Sequence, residues 1–134
     1  MRKRLYALLS LSIIFISIFS INTQAREAHR MPINVVREYT TTASWYKHGK
    51  VTANGERFNP YGLTAAHRTL PFGTKLRVTN ISTNRTIIVR INDRGPYKLG
   101  RGLDLSLGAA QRIGMFAIGV TKLKIQILED LNNK

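Results

Sequence analysis

Cysteine is absent from the 134 residues. A chain without thiols has no disulfide staple, no thiolate nucleophile, no cysteine-ligated zinc and no cysteine for lipid attachment. Its fold must therefore rest on a hydrophobic core. Histidine is nearly as scarce: His29, His48 and His67 show no metal-ligand spacing, so neither a metal nor a cofactor is expected. Acids are the third shortage. Twenty-one Lys and Arg face seven Asp and Glu, a formal charge of +14. Between Thr40 and Leu128 only Glu56, Asp93 and Asp104 remain, against fourteen Lys and Arg. Each lies in a segment of turn-forming composition. With so few carboxylates, each one is a candidate for a specific chemical or structural task.

The cationic balance has two readings, solubility or an anionic partner, and net charge alone does not separate them. The N-terminus bears on the choice. Arg2, Lys3 and Arg4 precede a run from Leu5 to Ile21 that is apolar apart from Tyr6 and four serines. Thr23-Gln24-Ala25 then offers small residues for a signal peptidase, so residues 1–25 read as an export signal. The run falls short of the ~20 apolar residues of a spanning helix, so membrane association is expected only through an uncleaved signal. An exported chain, periplasmic or secreted, meets cell-wall polymers, acidic sugars and lipid headgroups rather than nucleic acid. No nucleic-acid partner is expected.

Residues 26–38 are charged, include Pro32 and lack clear periodicity; they read as a tether. Residues 39–129 form one domain and 130–134 a tail. Tyr39–Tyr46 is rich in Thr and aromatics, Lys75–Ile81 alternates, Thr86–Ile91 is densely apolar, and Leu123, Ile125 and Ile127 alternate with polar residues. Such period-two patterns predict strands with one buried face. Ser82-Thr83-Asn84 predicts a hairpin connection. One short helix is expected, capped by Ser106, with Leu107, Ala110 and Ile113 on one face and Gly114 at its end. Lys47–Gly62 and Tyr97–Gly102 read as loops. Together these elements predict an all-β domain, a compact β-barrel with long functional loops.

Taken singly, the motifs around the acids also have ordinary explanations. Asn54-Gly55 is a common hairpin dipeptide. Asp93, before Gly95-Pro96, can cap a turn, and Asp104 can support the N-terminus of the helix. Taken together, Ala43-Ser44-Trp45-Tyr46, Thr52-Ala53-Asn54-Gly55-Glu56, Thr64-Ala65-Ala66-His67-Arg68-Thr69-Leu70-Pro71, Val89-Arg90-Ile91-Asn92-Asp93-Arg94-Gly95-Pro96 and Asp104-Leu105-Ser106 form an ordered set. In order and spacing this set resembles the rare-lipoprotein-A (RlpA) family of septal-ring lytic transglycosylases, over roughly Thr40 to Leu128.

The resemblance implies a six-stranded double-psi β-barrel with one or two short helices. It also implies endolytic cleavage of peptidoglycan between N-acetylmuramic acid and N-acetylglucosamine, in strands stripped of stem peptides, leaving 1,6-anhydro ends. Division-complex proteins are possible partners on the same ground. The family's functional residues fall on Glu56, His67 and Asp93, with Asp104 a further recurrent acid. On this reading Asp93 is the acid/base, Glu56 positions the sugar or offsets positive charge, and His67 bonds Asp93 or substrate. Asp104, Arg94, Tyr46, Asn54 and Tyr97 are expected at the substrate.

Three departures from the family pattern bear on the expectations: there is no lipobox cysteine, no peptidoglycan-binding repeat domain is expected after the last strand, and the segment Trp45–Lys50 is shorter than the usual loop. Lipid anchoring is accordingly not expected. The alternative class is a non-catalytic, expansin-like module that binds wall glycan. One electrostatic demand is open. A general acid needs a raised carboxyl, through burial or a neighbouring carboxylate. Arg94 must then point away from Asp93, or Glu56 or Asp104 must approach it.

Overall fold

Alternating residues fix the long strands, and pairing with them fixes the short ones. The computed structural model describes residues 33–129. The expected export signal, residues 26–32 of the tether and the 130–134 tail lie outside the described residues. In chain order the elements are β1 (Val35–Tyr46), β2 (Thr64–Ala66), β3 (Lys75–Asn80), β4 (Thr86–Asp93), β5 (Leu103–Ser106), α1 (Leu107–Arg112) and β6 (Thr121–Leu128). The strands close into a barrel in the order β1-β5-β2-β4-β3-β6. Two parallel pairs, β1 with β5 and β2 with β4, alternate with antiparallel contacts.

Leu76, Val78, Val89, Ile91, Leu123 and Ile125 point inward and are essentially fully buried, as their alternation requires. Burying one such side chain contributes about 1.5–3 kcal/mol. β1 starts at Val35, so residues 35–38 of the expected tether belong to the barrel; Val35 pairs with Leu128 and Glu38 with Gln126. Backbone pairing holds them there although their side chains are exposed, which is why no periodicity marked them.

Ser106 caps α1: its hydroxyl accepts from the Ala109 N–H at 3.2 Å. The same hydroxyl donates to the Gly62 carbonyl. The Gly108 N–H reaches the Pro60 carbonyl at 2.8 Å, and any Cβ on Gly108 would lie 2.5 Å from the Tyr61 carbonyl oxygen. The 47–62 loop is thereby fastened at its far end to the start of the helix.

Asn54-Gly55 forms a three-residue hairpin loop, not the two-residue turn its dipeptide favours. Only Gly55 takes a positive φ, +91°, and Thr52 and Glu56 close the loop by a 2.8 Å bond.

Candidate active site

The site grows from the short strands. Register places Ser44 opposite Asp104, Asp104 opposite Ala66, and Ala66 opposite Asp93. The chain neighbours Leu105 and Ala65 fill the core, as does Ile91, two residues before Asp93. The four residues therefore form one row on the outer face across β1, β5, β2 and β4. The two aspartates stand two ladder spacings apart, about 10 Å at the backbone. Ala66 stands between them in the register, and the Tyr46 hydroxyl lies near both.

A bulge turns Asp93 onto this face. Ala65 pairs with Ile91 and Ala66 with Asp93, which leaves Asn92 as one surplus residue in β4. Two successive side chains then reach the same turn. Asn92 Nδ2 donates to Glu56 Oε2 at 3.1 Å, and Asp93 Oδ1 accepts from the Ala53 N–H at 2.9 Å. The Asn54 N–H adds a 3.2 Å bond to the Asn92 carbonyl.

Asp93 is held by three donors. Besides Ala53, the Arg94 N–H donates to Oδ1 at 2.9 Å and the Tyr46 hydroxyl to Oδ2 at 3.1 Å. The Tyr46 ring stacks on Phe58 with centroids 4.9 Å apart. Burial, then the negative charge and hydrogen bond of Asp93, then Asp104, push the Tyr46 hydroxyl far above its usual value, so it remains a donor.

Asp104 occupies a strand, β5, rather than a turn, and its carboxylate takes no part in capping α1. Oδ1 accepts from the Ser44 hydroxyl at 2.8 Å. Burial raises its carboxyl above the usual aspartate range; Ser44 and Arg101 oppose this, and the Asp93 charge adds to it. The two aspartates thus share one electrostatic environment. Asp104 therefore holds its proton to higher pH than an ordinary aspartate.

Glu56 is the opposite case. Arg90 grips it in a bidentate pair at 2.6 and 2.9 Å, and the Asn54 and Asn92 amides donate at 2.7 and 3.1 Å. Hydrogen bonds from Arg90, Asn54 and Asn92 lower its carboxyl to about 2. Glu56 is therefore no proton donor near neutrality. Its place is in the frame of the turn that carries the Ala53 N–H.

His67 adjoins Asp93 through the backbone: its N–H donates to the Asp93 carbonyl at 3.2 Å. Its ring does not bond the Asp93 carboxylate. Nδ1 accepts instead from the N–H groups of Thr69 and Leu70 at 3.1 and 3.0 Å. Burial first, then Arg68 and Arg94, lower the imidazole below its usual value, so it is neutral with its proton on Nε2.

Arg94 points away from Asp93, as a proton-donating role for that residue demands. Its guanidinium donates to the His67 and Leu70 carbonyls at 3.2 and 2.9 Å and lies 3.8 Å over the Phe72 ring. It is a clamp on the 67–72 segment, not a free cation for substrate. Asn54 is likewise committed to its turn. Tyr97 is 80% exposed and remains available to a ligand. Trp45 packs on Phe116, ring centroids 5.0 Å apart, and on the core.

Sequence reasoning missed Arg90 and Asn92 as partners of Glu56, Ser44 as the partner of Asp104, and Ala66 as the spacer. All four stand inside the quoted motifs, but only Asn92 is next to an acid in the chain, and the other three carried no local signal of their partners.

A six-stranded barrel built on two crossed parallel pairs, with carboxyls on one outer face, defines the double-psi β-barrel class. Solved structures agree on the fold. A Streptomyces papain inhibitor superposes with TM-score 0.59 at 20% identity, covering 72% of this chain and 99% of that one. An expansin from Clavibacter michiganensis gives 0.58 at 19%, covering 70% and 52%.

Within that class, residues 38–125 match the lytic transglycolase family, and the chain belongs to it. It is similar to proteins named endolytic peptidoglycan transglycosylase RlpA. The one from Pseudomonas aeruginosa is 46% identical over 100 residues, covering 71% of this chain and 29% of that one. The one from Campylobacter jejuni is 51% identical over 89 residues, covering 64% and 32%. The chain spans less than a third of the length of these relatives.

Proposed function

We propose that this chain is an endolytic peptidoglycan lytic transglycosylase that cleaves between N-acetylmuramic acid and N-acetylglucosamine in peptide-free strands. The observation that carries the reading is the row Ser44–Asp104–Ala66–Asp93, which brings two carboxyls to one face with Ala66 between them in the register. The names of its relatives supply the substrate class.

In such a reaction the glycosidic oxygen receives a proton as its bond to C1 breaks, and N-acetylglucosamine leaves with a free hydroxyl. The muramyl C6 oxygen attacks C1, closes the 1,6-anhydro ring and gives up its proton. No water is consumed. Asp93, oriented by Tyr46, Ala53 and Arg94, is the acid/base in this reading. Asp104 accepts from a sugar hydroxyl and is the second carboxyl of the site. His67 offers Nε2–H to substrate, and Glu56 acts indirectly, by fixing the turn that orients Asp93. The basic N-region and apolar run of residues 1–25 support export to the wall, in the periplasm or outside the cell.

Incubating the chain with peptide-free glycan strands and weighing the products tests this. Anhydromuramyl ends are expected. Reducing muramic acid ends would identify a hydrolase instead, and retention on the strands without cleavage would identify an expansin-like binding module.

A further inference from the structure

A second concave feature lies beside the carboxyl row. A cleft of about 590 Å³ opens between the start of β1 and the segment after β2, with Arg37, Tyr39, His67, Arg68 and Gly102 in its wall. None of its lining residues is an acid. Arg37 lies 5.6 Å over the Tyr39 ring, and Arg68 donates at 3.3 Å to the Arg101 carbonyl, its one hydrogen bond among the described residues. His67 contributes the Nε2–H fixed by its two Nδ1 bonds. Two guanidinium groups and an imidazole N–H facing one cleft without a carboxylate make a site for an anion.

The cleft meets the carboxyl row at His67, whose N–H bonds the Asp93 carbonyl. A ligand held at Asp93 therefore extends directly past it. We propose that this cleft binds the lactyl carboxylate of a muramic acid residue in the same glycan strand, gripped by Arg37 and Arg68. The proposal rests on the glycan-cleaving reading above. Its chemistry selects among strands: a stem peptide is joined to that lactyl group as an amide, which removes the charge. Peptide-free strands present the carboxylate and peptide-bearing strands do not. The family resemblance had placed Arg94 at the substrate. Arg94 is spent on the 67–72 carbonyls.

The test is equilibrium binding of the full chain, carrying Asp93→Asn to stop turnover, to three probes: peptide-free strands, the same strands with carboxyls converted to methylamides, and N-acetylglucosamine hexamers. The unmodified strands should bind about tenfold more tightly than the methylamides, the scale of a charge-assisted hydrogen bond. Arg37→Gln with Arg68→Gln should erase that preference and leave hexamer binding unchanged. Arg85→Gln with Arg112→Gln, which removes equal charge at the opposite end of the barrel, should keep it. Persistence of the preference in the first pair overturns the proposal. So does an equal loss in the second pair, which would mean bulk charge, and so does a loss of hexamer binding together with strand binding. Absence of anhydro products from the unmutated chain would sink the enzymatic reading alone, because the carboxylate preference is read by binding.

Discussion

The β3–β6 wall and the β2–β5 ribbon belong to one barrel but are specified differently. In the wall, strands of six and eight residues alternate as far as Ile127, pair antiparallel, and carry no acid. In the ribbon, three and four residues pair with each other and, in parallel, with β4 and β1. The wall is held by side chains it buries itself. The ribbon exists because its neighbours offer it backbone partners, and both aspartates of the row lie on or beside it. Scaffold and chemistry are thus separated within a domain too small to divide them between two cores.

Substitutions on each side should sort accordingly. The largest effect is expected from Asp93→Asn: a fall in turnover of about 10²–10⁴-fold, the usual contribution of a general acid/base. The amide oxygen can still accept from Ala53 and Arg94, so the stability change should be about 1 kcal/mol or less. A calorimetric loss much larger than that would reassign Asp93 to turn capping.

Ile125→Ala in the wall should do the reverse, costing about 2–5 kcal/mol in denaturant unfolding. Its kcat should be unchanged wherever the protein remains folded; a matching fall in kcat would show that the two regions are not separable. Ala66→Val lies on the boundary. The added methyls stand between the two aspartates, so activity should drop at least tenfold, with overpacking costing about 1–3 kcal/mol. Full activity in that variant would mean that the carboxyls do not work across Ala66.

The smallest effect concerns acid stability. The Glu56 carboxyl is lowered from 4.5 to about 2, so its share of stability is fully present above pH 4.5 and is lost as pH falls toward 2. Asp104 has the opposite sign. Its raised carboxyl favours the folded state when protonated, and that advantage declines as pH rises from the ordinary aspartate value of 3.8 through its folded value. Glu56→Gln should flatten the acid limb of a melting-temperature profile, and Asp104→Asn should lessen the decline on the other side. A Glu56→Gln profile that overlays the parent below pH 4 would show that the Arg90 pair is not maintained in solution.

The same division decided what could be read from sequence. Alternation exposed β3 and β6, a dense apolar run β4 and a Thr- and aromatic-rich stretch most of β1, and the Ser106 cap and Gly114 bounded α1. β2 and β5 escaped because strands of three and four residues are too short to display a period. Asp104 was accordingly placed in a turn. Tyr46, Asp93 and Asp104 do come together, as the motif set implied. Glu56 joins them only through the turn at Asn54, and the His67 ring turns to its own loop. The Arg90–Glu56 pair was hidden because it depends on docking a hairpin against a strand 34 residues later. Arg94 could be judged only from where its guanidinium points.

One surplus residue in β4 has a wider consequence. Were β4 perfectly regular after Ile91, successive residues would fall on opposite sides of the sheet, and the carboxylate of Asp93 would be turned away from Ala53. The scaffold tolerates either arithmetic; the chemistry needs the odd count. An otherwise ordinary barrel acquires its reactive edge from a miscount between two strands, so a one-residue deletion there could silence the protein while leaving its overall shape intact.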